Sequence, residues 1–266
     1  MTLTFGVYST DVPSEMHHQF RPVLDLLEKD LSAQLRKPVK IEMKITAKYE
    51  EGVRDLVEGK VEFSRFGPES YVHARDQNPN LRLLAMELEK GQKAFYGVIC
   101  VPKDSPTKSV AELRGTSFAF GDQGSTIGRL LAVKHLLENG IVEKDLTRWE
   151  YLGRHDKVGL AVALKQFDAG ALNEKTFQRL LKEGKPLREL ARFENVTKPW
   201  IARAGLDDEV FLALRNSLLR LRDTNALAVL GFDGFAETTD ADYAAIRQAL
   251  KLTEGRFPAP PAKDRS

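Results

Sequence analysis

A single cysteine, Cys100, in 266 residues leaves no pair for an internal disulfide and no cysteine-rich zinc site. Long apolar runs are missing as well: no uninterrupted stretch approaches the roughly 18 residues that a membrane span requires. Neither sign of charge is in excess. Lys plus Arg is 40 and Asp plus Glu is 38, a net +2, so no global field draws the chain to nucleic acid or to a membrane surface. No Gly-Lys-Ser/Thr follows a glycine turn, which excludes a P-loop, and no Gly-x-Ser-x-Gly elbow supplies a nucleophile. His17-His18 has no spaced third ligand, so neither a metal site nor a cofactor is expected. The N-terminus from Met1 to Val7 enters a strand-like segment with no basic region or apolar signal core. The expectation is a cytoplasmic chain or, where a signal has been removed, a periplasmic or otherwise extracytoplasmic one.

What is present is an ordinary folded composition, 42% apolar and 29% charged, with enough length for more than one typical domain. Short β-rich runs alternate with helical patterns from end to end, which predicts an α/β architecture with mostly parallel sheets flanked by helices. Leu3 to Tyr8 reads as a strand, and Phe20, Val23, Leu24, Leu27 and Leu31 then form one helical stripe. Val39 to Ile45, Val61 to Phe66, Leu81 to Glu89 and Ala94 to Val101 read as further strands, with a helix over Glu51 to Glu58 and another opening at Gly67-Pro68. A second set follows: strands Ser117 to Phe120, Arg148 to Leu152 and Phe167 to Leu172, each leading into a helix. Trp200 to Arg203 reads as a return strand, and the remainder as helical. These sets predict two lobes, one over 1–93 plus 202–266 and one over 94–201. The Pro-rich stretch 257–266 is expected to fray. A ligand belongs in the crevice between the lobes, at the strand ends.

Several segments carry candidate binding residues. Phe118 to Phe120 runs into Gly121-Asp122-Gln123-Gly124-Ser125-Thr126, where a strand meets a glycine turn and two hydroxyls open a helix. First-turn N–H groups beside two hydroxyls suit an anion; Ser125 serves equally well as a plain N-cap. In Gly153-Arg154-His155-Asp156 the histidine sits at a helix entry, either donating to an anionic oxygen or capping the helix. Tyr49 and Tyr96 are core aromatics or phenols aimed into a cleft. Arg65 interrupts an apolar strand just before Gly67, and Lys198 precedes Pro199-Trp200; each cation faces the cleft or pairs with a carboxylate.

Phe5-Gly6-Val7, Phe66 to Val72, Gly-Asp-x-x-Ser-Thr at 121–126, Gly153-x-His155-Asp156 and Asp168-Ala169-Gly170-Ala171-x-Asn173 occur in this order. From residue 3 to about 245 the chain thereby resembles the phosphate/phosphite/phosphonate substrate-binding proteins of ABC importers, which have the two-lobed type 2 periplasmic-binding-protein fold. The resemblance implies a small phosphorus oxyanion as ligand, an ABC permease as partner and no catalysis. It implies that Ser125, Thr126, His155, Tyr96 and Tyr49 hold the phosphoryl oxygens, with Gly67 and Pro68 opening a helix at the first lobe's share of the site. Members that bind aminoalkylphosphonates place carboxylates where this chain has Lys175, next to Glu174, and Lys198. Together with Arg65, that implies a more cationic cleft and phosphate, phosphite or a simple phosphonate as ligand. The alternative is a sensing module of a signalling system using the same cleft, and a third reading is an enzyme on the same fold.

Overall fold

The structure is a computed structural model that describes residues 1–10 and 12–258. In chain order its strands are β1 (Thr2–Tyr8), β2 (Lys40–Thr46), β3 (Phe63–Arg65), β4 (Arg82–Leu88), β5 (Ala94–Pro102) and β6 (Ser117–Phe120). Then come β7 (Arg148–Tyr151), β8 (Ala169–Asn173), β9 (Leu187–Val196), β10 (Pro199–Ala202) and β11 (Gly234–Ala236). The helices are α1 (Pro13–Gln34), α2 (Tyr49–Val57), α3 (Pro68–Gln77), α4 (Ala132–Glu138) and α5 (His155–Ala163), followed by α6 (Glu174–Lys182), α7 (Asp208–Arg220), α8 (Thr224–Leu230) and α9 (Ala244–Thr253). Among the described residues no helix is long and apolar enough to cross a membrane.

The described residues divide into two compact units, Met1–Phe95 with Val196–Arg247, and Tyr96–Asn195 with residues 248–258. The expected lobe boundaries at 93/94 and 201/202 thus fall a few residues away, and the end of α9 joins the second unit rather than the first. Phe257, expected in a frayed tail, is fully buried in that unit's core beside Phe118, Phe120 and Val133. Its carbonyl accepts from the Tyr151 hydroxyl at 2.6 Å, and Trp149 donates to the Pro258 carbonyl at 3.0 Å. The rest of that tail, from 259, lies outside the described residues.

In the first unit the sheet order is β11-β4-β10-β3-β1-β2. Strands β1, β2 and β3 are parallel, β10 is antiparallel to both β3 and β4, and β11 is antiparallel to β4, so four of the six run one way. The Phe20-Val23-Leu24-Leu27-Leu31 stripe of α1 is buried in the core under this sheet, with Val210, Leu214 and Leu218 of α7. Trp200 anchors that core, stacked on Phe5 at 4.9 Å and edge-on to Phe235.

The second sheet runs β7-β6-β8-β5-β9, with β6 parallel to β7 and β8, and β5 antiparallel to β8. Because β5 runs against its neighbours, the carboxyl ends of β6, β7 and β8 share one sheet end with the start of β5. Strands β9 and β11, absent from the sequence reading, are both edge strands. An edge strand tolerates charge on its rim, and the Leu-Arg-Glu-Leu-Ala-Arg-Phe-Glu of β9 accordingly lacks clean alternation.

Candidate functional site

In the second unit, β6 ends at Phe120 and the chain turns through Gly121 to Ser125. The Ser125 N–H donates to the Asp122 carbonyl at 3.0 Å, and the Gly124 N–H to the Asp122 carboxylate at 2.8 Å. Ser125 is in extended conformation, and its Oγ accepts from the Gly128 N–H at 2.9 Å. The capping reading of Ser125 is therefore realised, and it leaves room for the other one. A hydroxyl that accepts a bond still has its own proton to donate. From Thr126 to Leu131 the helix is π-wound before it tightens into α4; Leu130 N–H reaches the Ser125 carbonyl five residues back at 3.1 Å. Ser125 and Thr126 are both buried.

Two glycines make this turn. The Gly121 N–H donates to the Gly128 carbonyl at 2.8 Å, and a Cβ on Gly128 would stand 2.9 Å from Gly121 Cα. Only glycine at both positions allows that approach. The Gly121 carbonyl in turn accepts from the Gly153 N–H at 3.2 Å, which ties the Ser125 turn to the one entering α5. There Gly153 has φ +81°, and His155, buried, is the first residue of α5. The Asp156 carboxylate is held by Arg154, which forks onto it at 3.0 and 2.9 Å. Burial pushes the Asp156 carboxyl up, but the hydrogen bonds and charge of Arg154 outweigh it and hold the group below the usual carboxylate range.

Tyr96 lies at the start of β5, whose next residue, Gly97, pairs with Asn173 at the end of β8. Any side chain at Gly97 would strike the Phe193 ring and come within 2.9 Å of Ile127. Ser125, Thr126, His155 and Tyr96 thus gather at one end of one sheet. The half-buried Tyr96 ring lies under the Arg192 guanidinium at 5.3 Å, and Arg192 pairs with Glu174 at 2.8 Å and Glu189 at 3.0 Å. Lys175 is exposed. Sequence reasoning missed Arg192 because it missed β9.

In the first unit Tyr49 opens α2, buried, and its ring stacks on Tyr8 at 3.7 Å. Gly67 caps α3 and Pro68 is its first residue, but the Gly67 N–H already donates to the Tyr8 hydroxyl at 2.5 Å. Tyr8 was not singled out in the sequence; its place as the last residue of the first parallel strand was the available signal. Arg65 is an ion-paired residue: its guanidinium meets both oxygens of Glu87, and Trp200 Nε1 donates to the same carboxylate at 3.0 Å. Burial alone would raise the Glu87 carboxyl. The charge and hydrogen bonds of Arg65, with smaller contributions from Lys198 and Trp200, lower it instead. Lys198 stands 4.9 Å over the Phe95 ring. The positive charge expected from Arg65 is therefore balanced locally by Glu87. Among the described residues no cluster of His, Cys, Asp and Glu could hold a metal ion.

Two α/β units with a chain that leaves the first, builds the second and returns define the fold class of the two-lobed substrate-binding proteins. The chain belongs to the family described as ABC transporter, phosphonate, periplasmic substrate-binding protein, whose model matches residues 5–243. The probable ABC transporter phosphite binding protein PhnD1 of Prochlorococcus marinus (strain MIT 9301) is 30% identical over 232 residues, covering 78% of this chain and 77% of the relative. The phosphonates-binding periplasmic protein of Escherichia coli (strain K12) is 26% identical over 268 residues, 95% of this chain and 77% of its own. Among solved structures, PhnD1 from Prochlorococcus marinus (MIT 9301) in complex with methylphosphonate aligns with a TM-score of 0.83 over 94% of this chain and 97% of that one. At 24% identity, that likeness is one of fold. The family is one of transport proteins that bind substrate.

Proposed function

We propose that this protein captures a small phosphorus oxyanion, namely phosphate, phosphite or an unsubstituted phosphonate, and delivers it to an ABC permease outside the cytoplasm, without turnover. The observation that carries the reading is the Ser125 turn. A capped, buried hydroxyl with its proton to give, a second hydroxyl at Thr126 and a helix start are joined through Gly121 to the turn that presents His155. Tyr96 at the same sheet end and Tyr49 in the first unit would supply phenol donors. Hydrogen bonds to a charged acceptor are roughly twice as strong as neutral ones, which is how such a set holds an oxyanion with no metal. The carboxylates of Glu87 and Glu174 are both engaged by arginines, so an ammonium on the ligand would have to compete for them.

Titration calorimetry against phosphate, phosphite, methylphosphonate and aminoethylphosphonate tests this. One of the first three should bind at least about tenfold more tightly than aminoethylphosphonate; a tenfold ratio corresponds to about 1.4 kcal/mol. Substituting His155→Ala should weaken that binding at one fixed pH. Absence of binding to all four would refute the reading, and hydrolysis of a phosphonate by the purified protein would replace it with an enzymatic one.

A further inference from the structure

We propose that Tyr8 is a positioning residue for ligand binding, acting through Tyr49; the inference rests on the oxyanion-binding reading above. Tyr8 ends β1 and is almost wholly buried. Its ring is common to two stacks, with Tyr49 at 3.7 Å and 22° and with Phe66 at 5.6 Å and 13°. Its hydroxyl accepts from the Gly67 N–H at 2.5 Å and donates to Ser70 Oγ at 3.0 Å. Gly52 of α2 lies against the same ring, where a Cβ would come within 3.0 Å of Tyr8 Cδ1. One side chain therefore joins the end of β1 to the first turns of both α2 and α3.

Two consequences follow. The first is preorganisation. A tyrosine fixed at its hydroxyl by two hydrogen bonds and at its face by a stacked ring holds that second ring in one orientation. Tyr49 is thereby ordered before ligand arrives, and the ordering cost is removed from the binding step. The second concerns the donor set. The Gly67 N–H, one of the donors that a helix start ordinarily leaves open, is occupied by the phenol. Tyr8 thereby withholds the Gly67 N–H at the start of α3 from a ligand while it orients Tyr49.

A double-mutant cycle read by titration calorimetry, with methylphosphonate and inorganic phosphate as probes, separates this role from a merely structural one. Tyr49→Phe removes the phenol donor, and Tyr8→Leu removes the ring and hydroxyl that orient it. Each single substitution should weaken binding about tenfold, the lower end for a hydrogen bond to a charged group. The double variant should be no more than about twofold weaker than either single, because Tyr8 has nothing left to position. Multiplying losses, or an unchanged affinity for Tyr8→Leu, would overturn the proposal. Should Tyr8→Leu fail to fold, Tyr8→Phe keeps the ring and removes only the hydroxyl with its bonds to Gly67 N–H and Ser70 Oγ. It should cost about threefold with Tyr49 present and nothing in the Tyr49→Phe background; equal losses in both backgrounds overturn the proposal. Wild-type protein that binds neither probe refutes the binding reading and the proposal with it. Binding by wild type with an additive cycle refutes the Tyr8 role alone.

Discussion

Arg65 Nε and Nη2 meet the two carboxylate oxygens of Glu87 at 2.6 and 3.0 Å, with both residues buried in the first unit. The pair spans strands that are not neighbours: Arg65 lies on β3, Glu87 on β4, and β10 runs between them carrying Trp200, which donates to the same carboxylate. Two charges removed from water stay there only when each is matched in geometry and hydrogen bonding. Glu87→Gln leaves the guanidinium buried with half a partner and should cost about 3–5 kcal/mol of stability. Replacing both residues with methionine should recover most of that loss, because the desolvation penalty disappears with the charges. Urea denaturation of the two variants checks the order, and an equally unstable double variant would contradict it.

The pH dependence of the same pair has a definite sign. The Glu87 carboxyl is lowered from its ordinary 4.5, so in the unfolded chain it takes up a proton before it does in the folded one. Its contribution to stability is complete above about 4.5 and disappears as pH falls through the depressed folded value. The gap in melting temperature between wild type and Glu87→Gln should therefore be constant near neutrality and close at low pH. A gap that widens on acidification would show that the pair is not what sets it.

At the Ser125 turn, Ser125→Ala with Thr126→Val should lower oxyanion affinity at least about a hundredfold, because hydrogen bonds to a charged group are worth roughly 1.5–3 kcal/mol each. The same change removes the bond from Gly128 N–H to Ser125 Oγ, and a lost N-cap costs about 1 kcal/mol of stability. Calorimetry and a thermal melt on one sample read the two effects separately. A melt shifted by the cap alone, with affinity intact, would return Ser125 to a purely structural role.

Phe257 packs against Phe120 at 5.5 Å and Trp149 at 5.5 Å, and its N–H donates to Glu143 at 2.7 Å. Phe257→Ala should destabilise the second unit by about 3–5 kcal/mol, the range for deleting a buried aromatic. Denaturation followed by Trp149 fluorescence, with Trp200 substituted, is the measurement. Unchanged stability would mean that the segment lies on the unit without supporting it.

The sequence by itself determined the elements whose pattern is carried by local spacing. The α1 stripe, the alternating Ile41-Met43-Ile45 of β2 and the Gly67-Pro68 helix start are where periodicity and backbone chemistry put them. The Gly121-to-Thr126 strand-turn-helix was legible for the same reason, and so were the candidate donors in it. Edge strands were not legible. β9 buries little, so burial imposed no alternation on its residues, and Arg192 went unnoticed with it; β11 is buried but only three residues long, too short to show a period.

Partners across sequence distance were decided only by tertiary structure. Arg65 reads identically in sequence whether it faces a ligand or Glu87, because the choice depends on a carboxylate 22 residues away and on Trp200, 113 residues beyond that carboxylate. The same holds for the capture of Gly67 N–H by Tyr8, 59 residues apart, and for Phe257. Spacing along the chain records which face of a helix or strand is apolar. It does not record which buried charge or N–H meets which acceptor, since strand order and register bring those groups together.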